Sequence, residues 1–448
     1  MPSSGPNTSS PAPKFRVAIC GAGPGGLTLA TAILKYTPLS SSIAIDIYEA
    51  APEVGTVGAG ISVWPRTSAL LNAMGLLDGL SGEIGAVGTG ISEGLGFTYR
   101  LSEQAEEGIN FFSLKVPTDP LLIHRSALLT TLQRGLESSD ASNCTVQIHT
   151  NARLTSYTSH SPTSPITLHF ADQPSAQADV LIGADGIRSA VRSTMFAAPS
   201  MRDISLKEKV EPRWTGVVAY RSLITMEDLK KVWTPEQVRA SGLRAMIYTG
   251  KNKHIVSYPI SRGALINFVG FYTVPGAYES RAAYPGKWVK DVPVEDVKKC
   301  YEGWEGEVQG LLQAHAMETH FGAGAGQSME DAHILGRLLA HPLTTLDGKR
   351  GTTDVTTALK IYEAVRFDFA RGVVRTARAV GLAYEFDNGW DLPPSFLDSL
   401  RRNDDKATQW LERWAYEGLD NGGSVVERGC EDEGCKAANT EIVNVEER

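Results

Sequence analysis

Phe15-Arg16-Val17-Ala18-Ile19-Cys20, followed at once by Gly21-Ala22-Gly23-Pro24-Gly25-Gly26, is the stretch that decides the fold. The first six residues read as a buried strand, a short apolar run with β-branched members. The next six form a G-x-G-x-x-G turn with glycines at 21, 23 and 26. Leu27 to Tyr36 has the apolar spacing of a buried helix, and Ile43 to Tyr48 reads as a second strand ending on an acid, Glu49. In such a unit Gly21 permits the tight turn, Gly23 lets a pyrophosphate approach the backbone, and Gly26 lets helix and strand pack closely. The helix N-terminus offers free N–H groups and a partial positive charge to phosphates. Glu49, 23 residues beyond Gly26, is spaced to accept hydrogen bonds from ribose hydroxyls. An acid at this place favours an unphosphorylated ribose, as in FAD or NAD, over NADP. The unit alone does not choose between FAD and NAD.

Composition narrows the class. The chain has 448 residues, enough for two or three domains and a large core. Hydrophobic content of 42% and charged content of 21% are those of an ordinary globular protein. The net charge of −8, with no basic run, argues against nucleic acid and acidic membrane surfaces as partners. Half of it lies in residues 421–448, which carry seven acids and three bases. Five scattered cysteines form no disulfide framework, and an odd count fits a reducing compartment. Cys430 and Cys435 have no second Cys/His pair beside them, so no metal site is expected. Residues 1–14 read as disordered rather than as a signal peptide, and no apolar run is long enough to span a bilayer. The expectation is a soluble cytoplasmic protein.

Further along, Gly55 to Gly60 is a glycine-rich loop where backbone, Gly60 included, can approach a flat ligand. Arg66 to Met74 reads as a helix ended at Gly75. Leu122 to Leu129 reads as the start of another, with Arg125 just before its first turn. Cys144–Thr150 and Ile166–Phe170 read as a hairpin. Asp179 to Arg192 is a buried strand, an Asp-Gly turn at Asp185-Gly186, and a helix. Residues 211–272 alternate as a mostly antiparallel, aromatic-rich sheet. Gly322-Ala323-Gly324-Ala325-Gly326-Gln327 opens a helix to about Ala340, with Asp331 expected to cap its first turns. Thr356 to Tyr384 reads as one long helix or two.

Taken together these stations resemble the class A FAD-dependent aromatic hydroxylases, and among them the salicylate hydroxylase-like branch. The matching text is GAGPGGLTLA (21–30), Glu49, GAGI (58–61), HRSALL (124–129), LIGADGIRSAVR (181–192), WTGVVAYRSL (214–223), GAGAGQSMEDAHILGRLLA (322–340) and IYEAVRFDFARGVV (361–374). The resemblance implies an α/β (α+β) fold like that of p-hydroxybenzoate hydroxylase: a Rossmann-like FAD-binding domain joined to a mostly antiparallel substrate-domain sheet. The FAD-binding domain is expected at 15–80, 121–200 and 314–385, and the substrate domain at 81–120 and 201–313. A helical region (386–423) and a disordered acidic tail (424–448) follow. The implied cofactor is FAD, with NADH or NADPH and O2 as cosubstrates and a small aromatic acid or phenol as substrate, in a monomer or homodimer. The implied chemistry is hydroxylation through a flavin C4a-hydroperoxide.

Carried over by position, Gly21, Gly23 and Gly26 bind pyrophosphate, Glu49 the adenosine ribose, and Arg125 the phosphate and ribityl region. Asp185 and Gly186 match the family's DG motif; the alternative is a strand-ending turn. Gly322, Gly324 and Gly326 match the loop beneath the flavin's pyrimidine end, where reduction leaves negative charge that a helix N-terminus stabilises. Tyr220 is the leading catalytic candidate, as a phenol able to bond the substrate's hydroxyl or carboxylate; the alternative is a half-buried strand aromatic. His320 is the second, while His315 reads as packing, and Trp64 and Trp214 are candidate pocket walls.

One departure stands out. In the family the glycine loop is preceded by a buried strand ending in a GD-A-x-H-type motif, whose Asp bonds the ribityl chain. Ala314-His315-Ala316-Met317 matches only its end, and the strand and GD pair are absent, a gap of about thirty residues by family likeness. A skipped exon in the gene prediction, a shortened and degenerate protein with impaired FAD binding, and a rearranged substitute are the three accounts. The first is preferred because both flanks read as intact family text. An NAD-dependent dehydrogenase would explain residues 15–49 but neither Asp185-Gly186 nor Gly322–Gln327.

Overall fold

In a computed structural model the described residues are 13–55, 60–80, 95–115, 120–137, 144–161, 164–198, 210–280, 284, 286–287, 289–314, 324–346 and 353–386. The chain begins β1 (Arg16–Cys20), α1 (Pro24–Tyr36), β2 (Ala44–Tyr48), β3 (Gly60–Val63) and α2 (Pro65–Ala73). Then come β4 (Leu95–Leu101), β5 (Ile109–Lys115), β6 (Leu121–His124), α3 (Arg125–Glu137) and β7 (Thr145–His149). A middle portion carries β8 (Leu154–Thr158), β9 (Ile166–Phe170), β10 (Ala176–Ala178), β11 (Val180–Gly183) and α4 (Ala190–Ala197). Next are β12 (Val217–Thr225), α5 (Met226–Val232), β13 (Met246–Gly250), β14 (Lys253–Ile260) and β15 (Leu265–Thr273). The last are α6 (Val294–Cys300), α7 (Gly306–Gln313), α8 (Gly324–Ala340) and α9 (Val355–Tyr384).

The strands divide by pairing. A parallel sheet has the order β11-β1-β2-β7, with β1 central and buried. α1, α3 and α8 join its apolar cluster, in which Val17, Ile19, Leu27 and Ile33 are sealed from water. A six-stranded sheet has the order β12-β15-β14-β13-β4-β5, antiparallel except for the β13–β4 pair. The residues 81–120 that sequence assigns to a second domain thus contribute β4 and β5 to this sheet. β3 and β6 form a two-stranded ribbon.

Two expectations are corrected. Leu122-Ile123-His124 is strand, not helix, because it pairs antiparallel with Ser62-Ile61-Gly60, and the helix starts at Arg125 itself. Residues 144–150 and 166–170 make no hairpin. β7 pairs in parallel with β2, whereas β9 lies between β8 and β10 in a separate antiparallel sheet. A crossover through α3 delivers β7, and local apolar pattern cannot distinguish that from a hairpin. The region 356–384, read as one long helix or two, is one 30-residue helix, Val355–Tyr384, capped at Asp354, whose side chain accepts from Thr357 N–H.

The six-stranded sheet buries both faces, and the period-two alternation sorts its residues. Ile224, Phe268, Ile266, Ile255, Met246 and Tyr248 pack under α5, α6 and α7. Leu223, Tyr258, Ile260, Val256, Ile247, Tyr99 and Phe97 point the other way, toward Trp64, Leu122 and the end of α9. Beneath the helical face, Arg100 makes a bidentate pair with Glu305, at 2.9 and 2.8 Å, while Gly108 N–H donates to the same carboxylate. Arg100 and Glu305 are 6% and 1% exposed, so each charge depends on the other. Replacing Arg100 by Ala strands a buried carboxylate and is expected to destabilise the fold by about 3–5 kcal/mol, read from urea unfolding.

Candidate functional site

The phosphate-binding geometry begins with backbone that only glycine permits. Gly21 has φ +106, and a Cβ there would lie 2.4 Å from the Ala184 carbonyl oxygen. At Gly26 a Cβ would lie 1.9 Å from the Gly21 carbonyl oxygen, so helix and turn touch backbone to backbone. Gly25 performs a task the sequence reading missed: a Cβ there would sit 2.9 Å from Ser328 Cβ, and its absence lets α8 lie against α1. Gly23 differs from all three. A Cβ there would meet nothing within 4 Å. Gly23 is also the N-cap of α1, with no side-chain cap and Pro24 in the first turn. An uncapped helix end facing open space is an anion cradle.

Glu49 lies directly beyond β2, beside that cradle. Its Oε2 accepts from Ala22 N–H at 2.8 Å and its Oε1 from Ala51 N–H at 2.9 Å, which fixes the carboxylate and leaves lone pairs on both oxygens. Arg125, the first residue of α3, is half-buried; desolvation lowers its pKa while the Glu49 carboxylate opposes that shift. Asp185 uses one oxygen as a helix cap, accepting from Ala190 N–H at 2.7 Å and Val191 N–H at 3.2 Å. Its Oδ1 is buried with no partner. The DG motif is therefore a cap with one orphaned acceptor, and the turn and cofactor readings both hold a part of it. Gly186 supplies the turn with φ +75. An uncapped helix end, a ribose-facing carboxylate and an orphaned acceptor are what FAD's pyrophosphate and hydroxyls require, and the residues present fit it.

α8 opens at Gly324, and Gly326 lies over Thr67, where a Cβ would be 3.4 Å from Oγ1. Gly322, His315 and His320 lie outside the described residues, as do residues 386–423 beyond Phe386 and the tail. Asp331 is corrected: it caps nothing in the first turn but accepts from Arg366 Nε at 2.6 Å. Arg366 also reaches Glu330 and Gln327, so the pair ties α9 to α8. Among the described residues the parallel sheet ends at β11, whose Leu181 and Ile182 are only half-buried; no fifth strand pairs there.

Gly60 is also revised. Its N–H donates to Asn267 Oδ1 at 2.9 Å, and a Cβ would lie 2.8 Å from Asn267 and 2.9 Å from Tyr258. Its bare backbone admits the six-stranded sheet, so it joins the two sheets rather than simply facing a ligand. That contact also decides which sheet face looks toward the cradle: the face of Asn267, Tyr258 and Arg221. Tyr220 lies on the opposite face, packed among the helices, with Cys300 Sγ 3.6 Å from its hydroxyl and burial raising its pKa. Strand parity thus sets Tyr220 on the sheet face away from Arg221 and Tyr258. Trp64 packs 6.1 Å from Phe97 at the joint, and Trp214 lies just before β12, edge-on to Tyr284.

The cradle-facing side carries residues the sequence reading missed. Arg221 is largely desolvated, and that pulls its pKa down to about 10 against the opposing influence of Tyr258. Tyr258 is buried, its pKa pushed up to about 12 by desolvation. His254, two pleats along β14, has Nδ1 2.9 Å from Glu385 Oε1 and stacks on Phe271 at 4.4 Å. The His254-x-Val256-x-Tyr258 alternation was available in sequence, but nothing local showed which face it served.

Residues 14–237 match the family described as an FAD binding domain. The chain belongs to that family, in the branch of the class A aromatic hydroxylases. It is 27% identical to a salicylate hydroxylase of Pseudomonas putida, covering 83% of this chain and 86% of that one. It is likewise 27% identical to 6-methylsalicylate 1-monooxygenase atA of Aspergillus terreus, over 90% of this chain and 87% of that one. A solved salicylate hydroxylase substrate complex superposes with a TM-score of 0.64 at 22% identity, over 90% of this chain and 98% of that one. That likeness establishes the fold. No helix among the described residues is long and apolar enough to cross a membrane.

Two glycine substitutions separate cofactor binding from folding. Gly23→Ala enters open space at φ −74 and should leave apoprotein thermal unfolding unchanged while weakening FAD at least about tenfold, since the methyl fills phosphate space. Gly26→Ala should lower the unfolding midpoint itself, because its Cβ meets backbone. Flavin fluorescence titration and a thermal melt read the two effects.

Proposed function

We propose that this family member is a monooxygenase that uses FAD, NADH or NADPH and O2 to hydroxylate a small aromatic acid bearing a phenol. The observation that carries the reading is the desolvated guanidinium of Arg221 on the cradle-facing side of the six-stranded sheet. A guanidinium can hold an aromatic carboxylate bidentately, and Arg221 shares its sheet face with the apolar Leu223 and Val256, which suit the ring. Both similar enzymes named above act, by their names, on salicylates, which are hydroxylated aromatic carboxylic acids.

When bound, FAD supplies the oxygen-activating redox chemistry. The chain's own residues do the rest. Gly23 and the α1 N-terminus hold the pyrophosphate, and Glu49 receives ribose hydroxyls. The α8 N-terminus turns its positive end toward the ring system. Arg221 anchors the substrate carboxylate as a bidentate donor. Tyr258 and Asn267 line the joint, and the apolar walls exclude water from the reacting ring. His254 is placed to take the phenolic proton, since a phenolate ring is the better nucleophile.

The degenerate-remnant alternative is not favoured, because the cofactor cradle retains its geometry. The visible absorption spectrum of the purified chain tests the reading: near-stoichiometric FAD supports it, and a colourless protein that takes up no added FAD would overturn it. Arg221→Met should raise KM for an aromatic carboxylate roughly 10- to 100-fold, the equivalent of about 1.5–3 kcal/mol for a charged hydrogen bond. Tyr220→Phe should change KM and kcat less than about twofold, as its hydroxyl lies on the other face. NAD(P)H oxidation stimulated by hydroxybenzoates measures both.

A further inference from the structure

We infer that Glu385, the residue that ends α9, is a positioning residue acting through His254; the inference rests on the substrate site proposed above. Glu385 is 2% exposed and His254 7% exposed, and the carboxylate meets the imidazole Nδ1 at 2.9 Å. With the hydrogen on Nδ1 and donated to the Glu385 carboxylate, the tautomer is fixed. Nε2 is then the lone-pair nitrogen. No hydrogen bond to it is seen among the described residues. The ring is held flat against Phe271 from β15, at 13° and 4.4 Å, and edge-on to Tyr384 from α9, at 72° and 5.3 Å. It therefore cannot rotate to another partner.

Other hydrogen bonds also fasten the end of α9 to the sheet. Asn252 N–H donates to the Glu385 carbonyl at 3.3 Å, Lys251 Nζ to the Phe386 carbonyl at 2.9 Å, and Tyr99 to the Tyr384 hydroxyl at 3.2 Å. The side chain of Glu385 is thus available for another task. In the step assigned to it, the substrate's phenolic O–H bond breaks and an Nε2–H bond forms, leaving a phenolate and an imidazolium with no change in oxidation state. Glu385 accepts from Nδ1 and stabilises that imidazolium as it forms. The other titratable groups around the ring are Tyr384 from α9, Tyr301, whose hydroxyl bonds the His254 carbonyl at 3.4 Å, and Lys253 beside it on β14. Glu385 is the one anion among them.

The test uses the FAD-loaded protein and a nitro-substituted hydroxybenzoate whose phenolate absorbs visible light. In the wild type the bound phenol should ionise at least about one pH unit below the free compound. Glu385→Gln, which preserves shape, should return that midpoint by about one unit with FAD content and affinity for the neutral phenol unchanged and phenolate affinity about tenfold weaker. His254→Asn should abolish the shift. Equal midpoints in wild type and Glu385→Gln would overturn the role of Glu385. If the probe fails to bind at all, the substrate reading fails instead. The positioning role is then decided by 15N-histidine NMR of the wild type, with His254 assigned by its loss in His254→Asn. A single Nδ1–H tautomer supports it, and an Nε2–H tautomer overturns it.

Discussion

Everything in this protein hangs on one close approach of backbone to backbone, where Gly26 at the start of α1 meets the carbonyl of Gly21. Any side chain at 26 would place a carbon 1.9 Å from that oxygen, and one at 21 would strike Ala184 at 2.4 Å. The turn is therefore tight enough to seat β1 between β2 and β11 and to aim the uncapped end of α1 outward at Gly23. Gly25 extends the same economy of volume sideways, so that α8 lies on α1 and brings its own N-terminus beside the first. Two helix ends with partial positive charge then face one region of space, which suits a ligand with phosphates at one end and an electron-accepting ring at the other.

A second contact, smaller in extent, orients the rest. Gly60 lets Asn267 and Tyr258 press against β3, and with that the six-stranded sheet has a side that looks toward the cofactor cradle and a side that does not. Because side chains alternate strictly, adjacent residues on β12 have opposite fates. Arg221 faces the cradle and Tyr220 faces Cys300 and the helices. The helical side is a conventional core containing one expensive feature, the buried Arg100–Glu305 pair. The cradle side carries the desolvated Arg221 and Tyr258.

Among the described residues the parallel sheet ends on β11, whose apolar residues are half-buried; the family resemblance leads one to expect a further strand before Ala314 that the sequence lacks. The retained parts explain why the cradle keeps its form. The glycine turn, Glu49, Arg125 and the α4 cap at Asp185 are each held by partners on β1, β2, α3 and α4, none of which needs that strand.

By itself the sequence determined the dinucleotide unit, its acid, the aromatic-rich antiparallel sheet and the helical character of 356–384, because each is written in local terms: glycines where φ is positive or space is nil, period-two or helical spacing, and an acid at a fixed remove. It also placed Asp185-Gly186 and the Gly324–Ala340 helix. What only the tertiary structure decided were matters of pairing and facing. Leu122-Ile123-His124 became strand because β3 lay beside it, and residues 145–149 joined β2 through a crossover rather than folding into a hairpin. Asp331 went to Arg366 across 35 residues instead of to its own helix. Tyr220 and Arg221, adjacent on β12, face opposite sides of the sheet, and His254 acquired Glu385 from 131 residues away. Local pattern records the period of a strand but not which of its two faces meets the ligand, and that choice is made only when another element packs against it.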